Sequence, residues 1–449
     1  MRKVIAIFDI GKTNKKLYLF DDKFQVVFQR EESFTVITDE DDFECDDIDL
    51  ITGWIENELS SLPESDEYEL IAVNFSTYGA SLMFIDENGK RLTPLYNYLK
   101  PVDSIIAESL FALYGGKEEF CRKTASPDLG LLLNSGIQIQ WLNKKKKEIA
   151  KKVKTVLHFP QYLLFFLTGE ICSEPTSIGC HTMMWNFDNM SYHPWLKDNN
   201  ISLPEPVNND TVFGMIFGGK HILVGTGIHD SSASLVPYLK ASASKFILVS
   251  TGTWCIIMNP YNSEPLTANQ LAQDCLCYLT PTKQQVKSAR LFMGHFHEVF
   301  AKKLSLFFDK PAGFFKKMKY SESLVDILST KYNSDQLFFP EGKEKAEKTL
   351  EKVDLSMFSC HEEAYTKFMI DLTGLFVHAY NLVLPEKDET EIIYITGGFA
   401  RNEIFVELVK NFLPGKKIIT SKINSSTALG AAMVISDVFE NPDFSKIML

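Results

Sequence analysis

Two periods of apolar spacing take turns along this chain and outline its elements. Val4 to Phe8 is an apolar run that meets Asp9 and then a small polar turn at Gly11-Lys12-Thr13-Asn14. Leu17 to Phe20 is a second run, and Asp21-Asp22 turns the chain into a third that begins at Val26-Val27-Phe28. Short apolar runs bounded by turn residues predict strands, here three in an antiparallel meander. Between 48 and 59 the spacing changes. Ile48, Ile51, Trp54-Ile55 and Leu59 recur at helical intervals behind Asp46-Asp47, which predicts a capped helix. Further strands are predicted at 70–75 and 82–85. Helices are predicted at 103–114, closed by Gly115-Gly116, across 137–154, and at 160–167, closed by Gly169. Strands with crossing helices make an α/β layer.

The opening pattern then recurs. Phe246 to Ser250 is an apolar run, Thr251-Gly252-Thr253 a small turn, and Cys255 to Met258 a second run ended by Pro260. Strand, Thr/Gly turn, strand is the geometry of residues 4–20 again. We therefore expect two domains with related cores, 1–240 and 241–449, with the boundary in the Ala/Ser stretch at 241–244. Each should hold a five-stranded mixed sheet, and a cleft should lie between them. In the second half the spacing predicts helices at 283–301, 319–329, 361–384 and 403–412. It also predicts a surface turn at 310–320, a strand at 391–395 that meets Thr396-Gly397-Gly398, and a small-residue helix at 427–434.

Composition narrows the class. At 45% hydrophobic and 23% charged over 449 residues the chain is globular, which excludes disordered and collagen-like proteins. The balance of 58 acidic against 46 basic residues leaves a net charge of −12, so neither nucleic acid nor an anionic membrane is an expected partner. The lysines at 144–147, 151, 152 and 154 read as a solvated helix face. Eight cysteines without a C-x-x-C pair read as reduced thiols of a cytoplasmic protein, with Cys275 and Cys277 on a strand. The start of the chain lacks a signal-peptide pattern, and the apolar run at 162–167 is too short for a membrane span. His295 and His297 stand two apart on an expected helix, which suits surface positions better than a zinc pair.

Familiar nucleotide and hydrolase motifs are missing: there is no Walker loop, G-x-G-x-x-G, H-E-x-x-H or G-x-S-x-G. Three loops at the carboxyl ends of expected strands remain. In the first, Gly11 opens the backbone to an anion, Thr13 and Asn14 offer short donors, and Lys12 or Lys15 can add positive charge. Asp9 beside such a loop suits a site where a divalent cation stands between carboxylate and phosphate; a plain turn fits the same residues. The second, Thr251-Gly252-Thr253, would make an opposed clamp. The third, Gly397-Gly398 through Asn402, leads into a helix and suits either a base or a tight strand–helix turn. His229-Asp230 precedes Ser231-Ser232-Ala233, so Asp230 reads equally as a helix cap or as a general base held in a cleft.

These segments, taken in order, resemble the FGGY family of carbohydrate kinases. Asp9 to Lys15 resembles its first phosphate motif, and Ser250 to Trp254 its second. Gly397 to Asn402 resembles its adenosine motif, Ser426 to Ala432 its C-terminal signature, and Gly227 to Ala233 the segment with its catalytic Asp. The resemblance implies an α/β, two-domain actin- and hexokinase-like (ribonuclease H-like) fold with an interdomain cleft. It implies ATP and Mg²⁺, with Asp9 at the metal, Gly11, Thr13, Asn14, Thr251, Gly252 and Thr253 at the phosphates, and Gly397, Gly398 and Asn402 at the adenosine. Asp230 becomes the catalytic base.

Thr77-Tyr78-Gly79 is similar to the Thr-Trp-Gly of rhamnulose kinases, and Ser173-Glu174-Pro175-Thr176 to their Ser-Glu-x-Thr element. These place a sugar against Thr77, Tyr78, Asp230 and residues 96–100, and imply a deoxyketohexose such as L-rhamnulose or L-fuculose. A pentulose such as xylulose or ribulose, and an actin-like ATPase without a sugar, are the alternatives. Partners are then a sugar and ATP; a homodimer is left open. The chain departs from the family after Pro94, where Tyr96-Asn97-Tyr98-Leu99-Lys100 lacks the usual Asp and Arg, at Phe399, and at Ser425.

Overall fold

The computed structural model describes residues 1–62, 67–332, 336–340, 342–343, 346–447 and 449. The opening meander forms as its spacing predicts: β1 (Arg2–Ile10), β2 (Lys15–Phe20) and β3 (Val26–Glu32) pair antiparallel. Helix α1 (Ile48–Ser61) follows, and its cap is Asp47 alone, which accepts from the Asp49 and Leu50 amides. The fourth strand, β4 (Tyr68–Thr77), lies parallel to β1. Helices α2 (Ser135–Lys145) and α3 (Phe159–Thr168) come next, then a short α4 (Pro175–Ile178). The hairpin β5 (Val212–Phe217) and β6 (Lys220–Gly225) extends the far edge, and the two-residue β7 (Ile228–His229) pairs with the end of β4.

A short helical turn, α5 (Asp230–Ala233), and α6 (Val236–Ala241) lead to the second sheet. Its strands are β8 (Phe246–Thr251), β9 (Cys255–Asn259), β10 (Cys275–Leu279), β11 (Gln285–Leu291), β12 (Ile392–Gly397) and β13 (Lys417–Thr420). The helices of this half are α7 (Met293–Phe307), α8 (His361–Leu382), α9 (Glu403–Phe412) and α10 (Ser426–Val434).

Among the described residues the two sheets have seven and six strands, not five each. The first runs β5-β6-β4-β1-β2-β3 with β7 on β4, and the second β10-β11-β9-β8-β12-β13. Both are mixed, and both share one motif: a first strand with an antiparallel hairpin on one side and a parallel strand on the other. The edge strands β5 and β10 are additions made by local hairpins, which tight turns allow without a crossover, and β7 is a two-residue parallel pairing on the end of β4.

One helix prediction fails. Residues 285–291 form β11 rather than the start of a helix over 283–301, which begins only at Met293. The segment reads as amphipathic because Gln285 and Lys287 break its apolar run. Both are buried, with Gln285 Nε2 donating to the Asn262 and Glu264 carbonyls and Lys287 Nζ to Pro265 O. Loop carbonyls supplied from elsewhere let long polar chains occupy strand positions.

The first sheet is covered on one face by α1 and α3, through Ile51, Trp54, Ile55, Leu163 and Leu164. On its other face lies α10, through Ala428, Ala431 and Ala432, packed with Ile5, Ile7 and Ala233. This helix is close because it is small-sided: a Cβ on Gly430 would lie 1.8 Å from the Ala233 carbonyl oxygen. Residues 428–447 thus return to the first sheet, while a boundary at 240–241 stays our proposal for where the chain passes between domains. The second sheet packs against the aromatic-rich α7, α8 and α9, with Phe300, Phe368, Phe376 and Phe405 at the centre.

The Gly430 contact gives a direct check. A Gly430→Ala variant must push α10 off backbone rather than off a flexible side chain, with an expected loss of about 1–3 kcal/mol. Urea unfolding should show the lower midpoint. An unchanged midpoint would mean that the helix has room to spare.

Candidate active site

Strand register assembles the first half of the site. Asp9 stands opposite Ser76, and Ile10 opposite Thr77, in the parallel pair β1–β4. In the pair β4–β7, Ile228 stands opposite Ser76 and His229 opposite Thr77. Three strands therefore end on one row, and Asp9 and Asp230 emerge from it. The Thr427 hydroxyl, at the start of α10, donates to Asp9 Oδ2 at 2.8 Å, with the buried Ser76 hydroxyl beside them.

Asp230 opens α5. Its Oδ1 accepts from the Ser231 amide at 2.6 Å and lies 3.1 Å from His229 Nε2, yet its side chain is 33% exposed. The backbone that presents it is fixed from behind. Glu174, wholly buried, accepts from the Thr176 amide and hydroxyl and from the Ser177 amide. The Thr176 oxygen in turn accepts from the His229 amide at 3.0 Å. Asn74 completes the support: its Oδ1 accepts from Gly227 N, and its Nδ2 donates to Ala431 O. The Ser-Glu-x-Thr element is thus a brace for residue 229 and its neighbour.

Burial pushes the Asp9 pKa up to about 6; the Thr427 bond opposes this and the Asp230 charge adds to it. Burial likewise pushes Asp230 up to about 6, against its bonds from Ser231. His229 is lowered to about 4 by burial and is neutral at physiological pH. Two carboxylates and two hydroxyls offer hard oxygen donors, which fit Mg²⁺. Among the described residues no three His, Cys, Asp or Glu side chains converge on one point.

The loop 11–14 is closed by Gly11 N donating to Asn14 O, with Thr13 and Asn14 exposed beside Asp9. Its lysines are already paired within the protein. Lys12 Nζ and Lys15 Nζ donate to the two oxygens of Asp46 at 2.7 and 2.8 Å, and Lys15 is almost fully buried. Tyr78 donates its hydroxyl to the same Asp46 at 2.8 Å. Asp46 is therefore the hub of an ion cluster rather than half of a helix cap. Positive charge for phosphate from Lys12 or Lys15 is removed from the picture.

The second half of the site follows β8 and its parallel neighbour β12, where Thr251 stands opposite Gly397. The Thr251 hydroxyl donates to Thr396 O and accepts from Phe399 N, so its side chain ties the two strands together. Gly397 has a φ of +87°, and a Cβ there would lie 1.8 Å from Thr251 O, so glycine alone fits. Gly252 and Thr253 form the exposed hairpin tip, where Thr253 O accepts from the Gly294 and His295 amides.

A cavity of about 530 Å³ lies beside this tip, lined by Gly252, Gly398, Asn402, His297, Phe315 and Phe399. The size suits a nucleoside. Asn402 borders it with a side chain already engaged: Oδ1 caps α9 through Phe405 N, and Nδ2 donates to Tyr365. His297 is buried and pairs with the same Tyr365 hydroxyl, so it is not the surface residue that its spacing predicts. Ser76, Asn74, Asp46 and Thr427 escape a reading of the sequence because each acts on a partner far along the chain. Only Thr427 lies in a recognisable motif.

Comparison with known proteins gives one picture. Residues 4–225 match the N-terminal domain of the FGGY family of carbohydrate kinases. The rhamnulokinase of Halalkalibacterium halodurans is 23% identical, over 94% of this chain and 88% of its own length. A solved carbohydrate kinase from Novosphingobium aromaticivorans superposes with a TM-score of 0.78 at 20% identity, covering 96% of this chain and 91% of that one. A xylulose kinase from Lactobacillus acidophilus gives 0.73 at 18%, covering 98% and 92%. These structures share the two-domain, actin- and hexokinase-like fold expected above.

Two measurements test the site. Below about pH 3.8 the raised carboxylates contribute their full stability, and they lose it as pH rises through about 6. Asp9→Asn should therefore raise the melting temperature of metal-free protein at pH 8 by about 2–4 °C, with the gain shrinking at pH 5. An equal gain at both values would show that burial does not raise the Asp9 pKa. For the cavity, Gly398→Trp fills open space without a backbone clash. Calorimetry should show Mg-ATP affinity at least about tenfold weaker with the melting temperature kept; equal affinity would remove the assignment.

Proposed function

We propose that this chain, which belongs to the FGGY family of carbohydrate kinases, transfers the γ-phosphoryl group of ATP to a hydroxyl of a ketose with Asp230 as the base. The observation that carries the reading is Asp230 itself. It is braced from behind by Thr176 and Glu174, part-exposed in front, and tuned to about 6, so it is ionised at pH 7 yet more basic than an ordinary carboxylate.

In this reading the exposed Thr13 and Asn14 and the backbone at Gly11 meet the phosphates from the first domain. Gly252 and Thr253 meet them from the second, and Thr251 acts by holding the strands in place. Gly397, Gly398 and Asn402 border the adenosine. Asp9, supported by the Thr427 hydroxyl, would hold Mg²⁺, which when bound neutralises charge on the transferring phosphoryl group. The attacking sugar oxygen bonds to the γ-phosphorus as the bond to the bridging oxygen breaks, and Asp230 receives the hydroxyl proton. The products are a sugar phosphate and ADP. Phosphoryl transfer asks little covalent chemistry of the protein, so alignment and charge do most of it.

For the acceptor we favour a deoxyketohexose such as L-rhamnulose or L-fuculose, supported by the similarity to a rhamnulokinase and by the Thr77-Tyr78-Gly79 segment. The structural likeness to a xylulose kinase keeps a pentulose as the second reading. No described helix is long and apolar enough to cross a membrane, and we assign the enzyme to the cytoplasm on its reduced, mostly buried cysteines.

Two experiments decide. Phosphorylation of L-rhamnulose, L-fuculose, xylulose, ribulose and glycerol should give the highest kcat/KM on a deoxyketohexose, and a clear preference for glycerol would overturn the subclass. Asp230→Asn keeps the shape and a hydrogen-bonding oxygen but loses the proton acceptor. Turnover should fall about 10²- to 10⁴-fold while folding and Mg-ATP affinity hold. Activity within about threefold of the unaltered enzyme would show that Asp230 serves only its helix.

A further inference from the structure

The sugar side of the site contains a turn in which one side chain is left open. At residues 97–100 the Lys100 amide donates to Asn97 O and the Leu99 amide to Asn97 Oδ1. Asn97 Nδ2 donates to Glu44 O. Tyr96 is buried, edge-on to Trp141 with ring centroids 4.9 Å apart, and its hydroxyl donates to Glu40. Lys100 is buried too, with its ammonium turned away to Asp39 and Asp41 at 2.6 and 2.7 Å. Tyr96, Asn97 and Lys100 thus pin the turn, and Lys100 is no substitute for the missing arginine at a sugar.

Tyr98 is the exception. Its ring lies 5.8 Å from that of Tyr78, half-buried, and its hydroxyl has no hydrogen-bond partner among the described residues. The phenol sits where both Asp230 and Asp46 act on it; burial and those two charges raise its pKa, so it stays a neutral donor. Tyr78, by contrast, presents only a ring, because its hydroxyl is bound to Asp46. The sequence offers the Tyr78 hydroxyl to a sugar; the structure withdraws it and leaves that of Tyr98.

Resting on the reading above, we propose that Tyr98 is a specificity-determining residue whose hydroxyl donates to a ketose oxygen other than the one phosphorylated. A carboxylate here would stand as a further negative charge near Asp230 and Asp46. A phenol adds none, and it can donate to a carbonyl as well as to a hydroxyl oxygen. Pinning the turn in advance removes ordering that binding would otherwise have to supply.

Tyr98→Phe keeps the ring and its packing, so the melting temperature should hold. On the preferred ketose, KM should rise at least about tenfold with kcat changed far less, and KM for ATP should stay put. Ketose analogues lacking one oxygen at a time give the second readout. The analogue missing the contacted oxygen should lose rate with the unaltered enzyme and lose little more with Tyr98→Phe. Sugar KM within about twofold of the unaltered enzyme on every ketose, or equal losses across the whole analogue series, would overturn the role of Tyr98 while leaving the kinase reading intact. An unaltered enzyme that phosphorylates no ketose would overturn both.

Discussion

A seam of backbone against backbone holds the site together. Helix α10 reaches the first sheet with Gly430 over the Ala233 carbonyl, and Asn74 locks it there by donating to Ala431 O. From that position α10 delivers Thr427 to Asp9 and stands against the short turn that presents Asp230. Two carboxylates on separate strands, Asp9 and Asp230, are thereby brought under one set of constraints. Larger side chains along 428–432 would separate them from their supports, which is why the segment is made of alanine, leucine and glycine.

Electrostatics at this row are unusually self-contained. The raised carboxylates are relieved by hydroxyl and amide donors and, at Asp9, by the charge of Lys16, while Lys12 and Lys15 are held by Asp46. In the proposed reading, anionic phosphates are then met by backbone amides, hydroxyls and a bound cation. A net charge of −12 gives no long-range attraction to compensate, so recognition is local. Buried, neutral histidines keep the surroundings of Asp230 free of competing charge.

Much of the architecture is legible in the sequence because its signals are local. The runs at 4–8, 17–20, 246–250 and 255–258 become strands, and the loops at their ends become the two sides of the site. What escapes depends on distant partners. Gln285 and Lys287 disguise a strand as a helix because loop carbonyls elsewhere satisfy them. Lys12 and Lys15 look like phosphate ligands until Asp46 arrives beside them. Thr251 and Asn402 look like ligand donors, yet their side chains knit β8 to β12 and cap α9. His297 looks exposed because nothing near it in the sequence announces Tyr365.

The long reach of α10 also orders the folding of the chain. Thr427 and Asp9 are 418 residues apart, and Asn74 and Ala431 are 357 apart. Contacts of such separation close only after the intervening chain has collapsed, since loop closure has to precede the interaction it permits. The meander β1–β3 and the hairpin β8–β9 can form from neighbours, whereas α10 has no local partner for its small face. Docking of this helix is therefore a late event, and a chain that has built both sheets but not seated α10 holds Asp9 without Thr427. If Asp9 and Asp230 act as proposed, a molecule without a seated α10 lacks the support of both, and competence for phosphoryl transfer arrives together with the last native contacts.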